Sequence, residues 1–274
     1  MILKRKPAIE GAGVHLNRVF GFSESPKLDP FLMLDDFRSD NPEHYLKGFP
    51  WHPHRGIETI TYVLKGDVEH GDSLGNTGVI STGDVQWMTA GSGIIHQEMP
   101  KGDAQGAMYG FQLWANLPAS QKMMPPRYRG IIADQIPVVE LENGVRIKVI
   151  AGTIGGVKGP MDEIVIDPEY FDCAVPYGET FIHKTDPTYT AFIYVIGGRG
   201  KTDGTDIDNG TLVLFDQGGQ LSVKATNESL RFLLLTGKPL NEPVAWRGPI
   251  VMNTQAELET AFQEYQEGTF IKRK

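Results

Sequence analysis

Short runs of apolar residues, many of them alternating with polar ones, recur along most of this chain, and turn-forming residues separate them. The runs are rich in β-branched and aromatic residues and are bounded by Gly, Asp, Asn or Pro, which is typical of β-strands. They are Glu58–Lys65, Val85–Thr89, Met108–Asn116, Val145–Ile150, Tyr189–Ile196, Thr211–Phe215 and Ser229–Leu235. No helical pattern of about 10–15 residues separates them, so the sequence predicts an all-β fold of antiparallel strands, as a barrel or a sandwich.

One helix is predicted near the C-terminus. Thr254 and Glu257 form the pattern of a capping box. Apolar residues at helical spacing follow at Leu258, Ala261, Phe262 and Tyr265. Gly268 supplies a stop. We therefore expect a short C-terminal helix that packs on a sheet.

A weak internal repeat divides the chain into two similar halves. ETITYVLKGDVEH resembles YTAFIYVIGGRGK, and GFQLWANLP resembles LRFLLLTGKPL. The order and the approximate spacing of these segments agree, so the sequence predicts two copies of one β-barrel unit. The linker is expected near Pro125–Asp134, where PPRYRG breaks the periodic pattern. This gives predicted domains at 1–130 and 131–274.

Composition and charge exclude several classes of protein. The 274 residues include 26 Lys and Arg against 34 Asp and Glu, a net charge of −8, which argues against direct nucleic-acid binding. The single cysteine, Cys173, cannot form an internal disulfide or a cysteine-based zinc site. No stretch approaches the roughly 18 consecutive apolar residues of a membrane span, and the N-terminal MILKRKPAIEGAG lacks the apolar core of a secretory signal. We therefore expect a cytoplasmic protein without membrane association.

Two histidine-containing tripeptides carry the candidate chemistry. His52 and His54 flank Pro53, and His96 and Glu98 flank Gln97. Residues i and i+2 of a strand point to one face, so two such pairs on neighbouring strands would surround one centre with three imidazoles and a carboxylate. This donor set suits a divalent iron, copper, nickel, manganese or zinc ion.

Spacing alone leaves the carboxylate ligand open. Glu58 follows His54 by four residues, and an unbroken strand would also direct it inward, so Glu58 competes with Glu98. The other histidines have no partner two residues away and are predicted to be surface or structural residues: His15, His44, His70 and His183.

Several longer motifs resemble the pirin family of the cupin superfamily. The motifs are FLMLDDF (31–37), GFPWHPHRGIETITYVLKG (48–66), GDVQWMTAGSGIIHQEMP (83–100), FQLWANLP (111–118) and EPVAWRGPIVMNT (242–254), and the resemblance they carry extends over nearly the whole chain. The resemblance implies a bicupin, that is, two antiparallel jelly-roll β-barrels, with one metal ion in the N-terminal barrel.

The resemblance also implies the ligand set. It assigns the metal to His52, His54, His96 and Glu98, which makes Glu58 a neighbouring strand residue, and the family metal is usually iron (Fe²⁺). The chain departs from this pattern in its second half, where His183-Lys184-Thr185 stands near the expected repeat of the first tripeptide. The second barrel is therefore predicted to be structural and metal-free.

Two functions follow from the resemblance, and they belong to different classes. One is a dioxygenase similar to quercetin 2,3-dioxygenase, which opens the ring of a flavonol with O₂ and releases CO, with Glu98 as the catalytic proton acceptor. Trp51, Met88, Phe49 and Phe111 are the predicted apolar walls for this small aromatic substrate. The alternative is a non-enzymatic, redox-sensitive iron protein that regulates a transcription factor or a metabolic enzyme as its protein partner. We favour the dioxygenase.

Overall fold

The computed structural model describes residues 1–215 and 219–272, and antiparallel strands dominate them. The first twelve strands are β1 (Ile2–Lys4), β2 (Lys6–Glu10), β3 (Val14–Phe20), β4 (Phe31–Asp36), β5 (Phe49–His54), β6 (Ile57–Lys65), β7 (Asp67–Asp72), β8 (Thr77–Ile80), β9 (Val85–Thr89), β10 (Ile94–Lys101), β11 (Tyr109–Asn116) and β12 (Arg127–Ile131). The remaining elements are β13 (Val138–Glu140), β14 (Arg146–Ala151), β15 (Thr153–Ile154), β16 (Val157–Lys158), β17 (Glu169–Val175), β18 (Thr180–Lys184), β19 (Thr190–Gly197), β20 (Arg199–Thr202), β21 (Thr205–Asp208), β22 (Thr211–Leu214), β23 (Gln220–Ala225), β24 (Leu230–Gly237), β25 (Ala245–Arg247), β26 (Ile250–Met252) and α1 (Gln255–Gln266).

The chain forms two compact units that are discontinuous in sequence. The N-terminal unit comprises Lys6–Pro26, Phe31–Ala133 and Leu240–Lys274, and the C-terminal unit comprises Met1–Arg5, Lys27–Pro30 and Asp134–Pro239. The sequence predicts one boundary, between residues 130 and 131, whereas the first strand belongs to the C-terminal unit because β1 pairs with β22. The segment after residue 239 belongs to the N-terminal unit. A single cut in the sequence cannot describe this exchange of terminal segments.

Each unit contains one seven-stranded and one four-stranded sheet. In the N-terminal unit the strand orders are β12-β9-β6-β11-β4-β3-β2 and β5-β10-β7-β8. Both sheets contribute to a shared apolar core, in which Val14 and Val63 of the large sheet meet Val68 and Ile80 of the small sheet. Two sheets that close around one core in this way form the predicted antiparallel barrel.

The C-terminal unit repeats this topology, except that β1, from the start of the chain, takes the edge position that β12 has in the N-terminal unit. Its orders are β1-β22-β19-β24-β17-β14-β13 and β18-β23-β20-β21. The strand pair β5 and β10 of the N-terminal unit therefore corresponds to β18 and β23. The predicted all-β fold with two copies of one barrel is confirmed.

Corresponding glycines mark the point where each barrel passes from its large sheet to its small one. Gly66 joins β6 to β7 with φ +79°, and Gly198 joins β19 to β20 with φ +76°. At both positions a Cβ atom would collide with a backbone carbonyl, 2.5 Å from Lys101 O and 1.8 Å from Ser229 O. Only glycine combines this conformation with such close backbone approach.

The C-terminal helix begins as the sequence predicts. The Thr254 side chain accepts from the Glu257 amide, and the Glu257 carboxylate accepts from the Thr254 amide, which completes the capping box. Leu258 and Ala261 are buried against β26 and Phe270. Among the residues that the structure describes, no helix has the length and apolar character needed to cross a bilayer.

The sheet-to-sheet glycine yields a stability prediction with a matched control. Gly198→Ala should lower the free energy of unfolding by about 1–3 kcal/mol more than Gly204→Ala, because accommodating its Cβ requires a backbone shift. Gly204 has nearly the same φ, +75°, but nothing lies within 4 Å of its Cβ position, so this variant reports the conformational cost alone. Urea unfolding of both variants measures the difference, and equal losses would contradict the close approach at Gly198.

Candidate metal centre

The pairing of β5 with β10 brings three of the predicted ligands together. His96 lies directly opposite His52, and Ile94 lies opposite His54. The ring centroids of His52 and His96 are 4.4 Å apart, and those of His54 and His96 are 5.0 Å apart. One nitrogen from each ring belongs to a set of atoms that all lie within 4.8 Å of one another. Within the described ranges this is the one such cluster of three or more metal-ligating side chains.

Backbone carbonyls fix the orientation of two of these rings. His52 Nδ1 donates to Pro50 O at 2.8 Å, and His54 Nδ1 donates to Pro249 O at 3.1 Å. A carbonyl oxygen can only accept, so the proton of each neutral ring is on Nδ1 and each Nε2 presents a lone pair. These two Nε2 atoms lie 3.1 Å apart. Two lone pairs at that distance repel each other and would be stabilised by a cation between them.

The third ring adds an unpartnered nitrogen. His96 Nε2 is buried without a hydrogen-bond partner, while His96 Nδ1 lies 3.4 Å from the Tyr128 hydroxyl. Burial, reinforced by the neighbouring imidazoles, lowers the pKa of His96 and of His54 well below the ordinary value, and burial also lowers the pKa of His52. The three rings are therefore neutral at physiological pH, as metal ligation requires.

The measured geometry fits a divalent metal ion. Metal–imidazole bonds of about 2.0–2.1 Å place two ligands at right angles about 3 Å apart, which matches the separation of His52 Nε2 and His54 Nε2. Second nitrogens bonded to backbone carbonyls are the usual support for metal-binding histidines. The cluster can thus hold a metal ion through three Nε2 atoms.

Glu98 lines the same cavity but lies outside the three-histidine cluster. It shares the inward face of β10 with His96, and its carboxylate accepts from the Thr61 hydroxyl at 3.0 Å and from Gln112 Nε2 at 3.3 Å. Burial raises the pKa of Glu98 to about 7, against the opposing effect of these two hydrogen bonds. A carboxyl group with this pKa can exchange a proton near neutral pH.

Glu58 is directed elsewhere, because the strand that would align it with His54 is broken. β5 ends at His54, Gly56 turns the chain with φ +77°, and β6 continues in the other sheet. Along β6, Glu58 lies on the opposite face from Thr61, which contacts Glu98. The Glu58 carboxylate instead accepts from Thr89 Oγ1 at 2.5 Å and contacts Arg129 at 3.4 Å.

A cavity of about 770 Å³ opens onto the cluster, and its walls differ from those predicted. Phe49 lines it as expected, whereas Trp51 is 53% exposed and both Met88 and Phe111 are buried in the interior away from it. The other large apolar lining residues were not predicted from the sequence: Leu16, Phe22, Met33, Phe37, Val68, Trp114 and Trp246. On β11 the residues that line the cavity are Gln112 and Trp114, which alternate out of phase with Phe111, so the prediction of Phe111 selected the wrong face of this strand.

The second barrel has no equivalent cluster in its described part. Along β18 and β23 the buried positions hold Phe181, Leu221 and Val223, which belong to the apolar core. His183 is also buried, but its Nε2 contacts the Glu169 carboxylate at 3.0 Å. The expected role of His183 as a structural residue agrees with this pairing.

Two barrels of cupin topology, one of which carries a buried histidine cluster, define a bicupin. The sequence pattern described as Pirin matches residues 13–115, and that of the Pirin C-terminal cupin domain matches residues 170–271. A pirin-like protein of Caulobacter vibrioides is 45% identical over 270 residues, covering 98% of this chain and 97% of the relative. The chain belongs to the pirin family.

Two further similar proteins are named for quercetin 2,3-dioxygenase activity, and the similarity to each extends over nearly the whole chain. A Pseudomonas aeruginosa protein, named as a candidate quercetin 2,3-dioxygenase, is 43% identical over 273 residues, covering 96% of this chain and 94% of the relative. The crystal structure of quercetin 2,3-dioxygenase from Acinetobacter baumannii superimposes with a TM-score of 0.90 at 34% identity, covering 98% of this chain and 96% of that one.

The lowered pKa of His54 predicts a pH-dependent stability of the metal-free protein. Unfolding returns this imidazole to an ordinary pKa of about 6.5. Below that pH the unfolded chain binds more protons, so this group removes up to about 1.4 kcal/mol of stability per pH unit as the pH falls. The raised pKa of Glu98 acts in the opposite sense, so the test compares variants. His54→Gln removes this titrating group, so the free energy of unfolding of the variant should fall less than that of the wild type between about pH 7.5 and 5.5. Urea unfolding with chelator present measures both.

The control for that measurement is His15→Gln, which alters an exposed histidine. It should leave the pH dependence of the wild-type protein unchanged. If both variants have the wild-type dependence, His54 is not held neutral by its surroundings.

Proposed function

We propose that this protein is a metal-dependent dioxygenase that opens the ring of flavonols such as quercetin with O₂ and releases CO. The observation that carries the proposal is the convergence of three neutral imidazoles at an aromatic-lined cavity that Glu98 also lines. The names of the relatives from P. aeruginosa and A. baumannii agree with this activity.

The proposed ligands are His52, His54, His96 and Glu98, and the proposed metal is iron (Fe²⁺). Three imidazoles and a carboxylate also suit copper, nickel, manganese and zinc, so the donor set supports a divalent ion and the family favours iron. A bound divalent ion would supply a Lewis-acidic anchor for the 3-hydroxyl oxygen of the flavonol and a path for electrons toward O₂.

Glu98 is the proposed proton acceptor. Because its pKa is raised to about 7, its ionised form is basic enough to take the proton of the flavonol 3-hydroxyl near neutral pH. Thr61 and Gln112 hold the carboxylate in the cavity wall and restrict its rotation. The same contacts allow Glu98 to remain beside the substrate whether or not it also ligates the metal.

The cavity walls suit a flat aromatic ligand. Trp114, Trp246 and Phe49 supply ring faces and edges, and Trp114 also contacts His54 edge-to-face at 5.0 Å. The cavity volume of about 770 Å³ lies within the range typical of small-molecule sites. A flat aromatic ligand packed against these walls would displace water from the cavity, which would strengthen electrostatic interactions there.

The ligand assignment is tested by metal content. His52→Ala and His96→Ala should each remove most of the bound metal, because each deletes one of few ligands from a small site. His183→Ala, in the second barrel, should retain the wild-type content. Elemental analysis of proteins purified without added metal gives the comparison, and equal loss in all three variants would refute the assignment to one site.

The activity is tested with matched flavonoids and matched carboxylates. Flavonols with a free 3-hydroxyl should be consumed with O₂ by the iron-loaded protein, and flavones without it should not, because apolar burial alone would bind both compounds similarly. Glu98→Gln should abolish the reaction, whereas Glu58→Gln should retain most of it, since Glu58 lies on the other face of β6. Product analysis by mass spectrometry and CO detection measure the outcome.

Metal-free protein with an equal amount of iron is the necessary control, since flavonols autoxidise and chelate free metal. If the protein at full iron occupancy consumes flavonol no faster than that control, the result favours the alternative of a non-enzymatic iron protein that regulates a partner. If Glu58→Gln proves the more damaging variant, the assignment of the carboxylate is wrong.

A further inference from the structure

The motif EPVAWRGPIVMNT, at residues 242–254, lies far along the chain from the histidines but packs beside them. Pro249 lies between β25 and β26, and its carbonyl accepts the hydrogen bond from His54 Nδ1. The Val251 amide donates to the carbonyl of Arg55 at 3.1 Å, directly after His54. The C-terminal segment, residues 240–272, therefore contacts both the ring and the backbone at this candidate ligand.

We propose that the C-terminal segment completes the metal centre, with Arg55 as the positioning residue that couples it to the two histidine-bearing strands. This inference rests on the proposed metal site. It assigns a role to Arg55, Glu264 and Phe270, none of which would touch the metal or the substrate.

The side chain of Arg55 is 2% exposed, and all its polar contacts lie outside β5. Its Nε donates to Ser92 O at 2.7 Å, in the turn that leads into β10 and His96. Its Nη2 donates to Phe270 O at 2.9 Å, and its Nη1 forms a 2.7 Å ion pair with Glu264 of α1. Arg55 thus joins the chain at His54, the turn before His96 and the end of the C-terminal segment.

Aromatic packing reinforces this junction. The Arg55 guanidinium carbon lies 4.2 Å from the centre of the Phe270 ring, which is buried. Gly93 packs tightly against this residue, since its φ is +135° and a Cβ atom there would lie 3.0 Å from both the ring and the carbonyl of Phe270. Phe270 therefore contacts both the Arg55 side chain and the turn that precedes β10.

A second buried cation ties the same segment to the residue after Arg55. Lys122 Nζ donates to Gly56 O at 2.9 Å, to Val251 O at 3.1 Å and to Asn116 Oδ1 at 2.7 Å. A Cβ atom at Gly56 would lie 2.0 Å from Val251 O, so the two backbones are in direct contact. These contacts leave the backbone after His54 little freedom to move.

Because the Arg55 guanidinium binds three fixed partners, it restricts the position of the backbone next to His54 more strictly than an apolar side chain would. Loss of groups that support metal ligands typically costs 10–100-fold in metal affinity. Removal of the Arg55 fork should therefore weaken metal binding by that factor even in protein that remains folded.

The test measures Co²⁺ affinity by chelator competition, together with the visible ligand-field spectrum of the Co²⁺ protein and the unfolding temperature of the metal-free protein. Arg55→Met should raise the Kd for Co²⁺ about 10–100-fold and alter the ligand-field bands. Arg55→Lys keeps the charge but not the planar fork and should recover only part of the affinity. Glu264→Gln and Phe270→Leu should shift both readouts in the same direction by a smaller factor, and they decide the question if Arg55→Met does not fold.

Lys272→Met is the matched control, because Lys272 pairs with the same Glu264 from the exposed side and has no contact with Arg55 in the described structure. It should keep the wild-type Kd and spectrum. The proposal is overturned if the Arg55, Glu264 and Phe270 variants bind Co²⁺ as the wild type does while only their unfolding temperatures fall. If the wild-type protein itself binds no Co²⁺, it is the underlying metal site that fails.

Discussion

His52 Nε2 and His54 Nε2 face each other across 3.1 Å with no proton to join them, and the rest of the site is arranged around that contact. Each ring is held in this position because its Nδ1 donates to a backbone carbonyl, and burial keeps both rings neutral. His96 adds a third buried nitrogen without a partner. We propose a divalent metal ion because it satisfies all three lone pairs at once, as an ordinary hydrogen-bond donor would not.

A comparison of the two barrels shows which features belong to the fold and which belong to the candidate site. Both have the same strand order and the same glycine at the passage from large to small sheet. In the N-terminal barrel, β5 and β10 bring three imidazoles together, whereas the buried positions of the corresponding pair, β18 and β23, hold mostly apolar side chains and the single imidazole of His183, which pairs with Glu169. The same topology therefore occurs with and without a histidine cluster in the described residues, and the cluster depends on a few inward positions of one strand pair.

Alternation along strands explains which parts of the site can be predicted from the sequence. The pairs at 52 and 54 and at 96 and 98 share a face because each lies within one strand. The same rule fails for Glu58, because the strand is interrupted at Gly56 and the phase is lost. The role of Pro249 leaves no side-chain signal, since a backbone carbonyl makes the contact. The exchange of terminal segments depends on contacts between residues 195 and 213 positions apart, which no local pattern predicts.

The most direct test of the account is the protonation of the three imidazoles in protein loaded with diamagnetic Zn²⁺. Long-range ¹H–¹⁵N NMR of the histidine rings distinguishes a protonated nitrogen from a metal-bound one. The account predicts that His52, His54 and His96 all bind through Nε2 and carry their proton on Nδ1. Coordination through Nδ1 of His52 or His54, or an unchanged spectrum on metal addition, would contradict it.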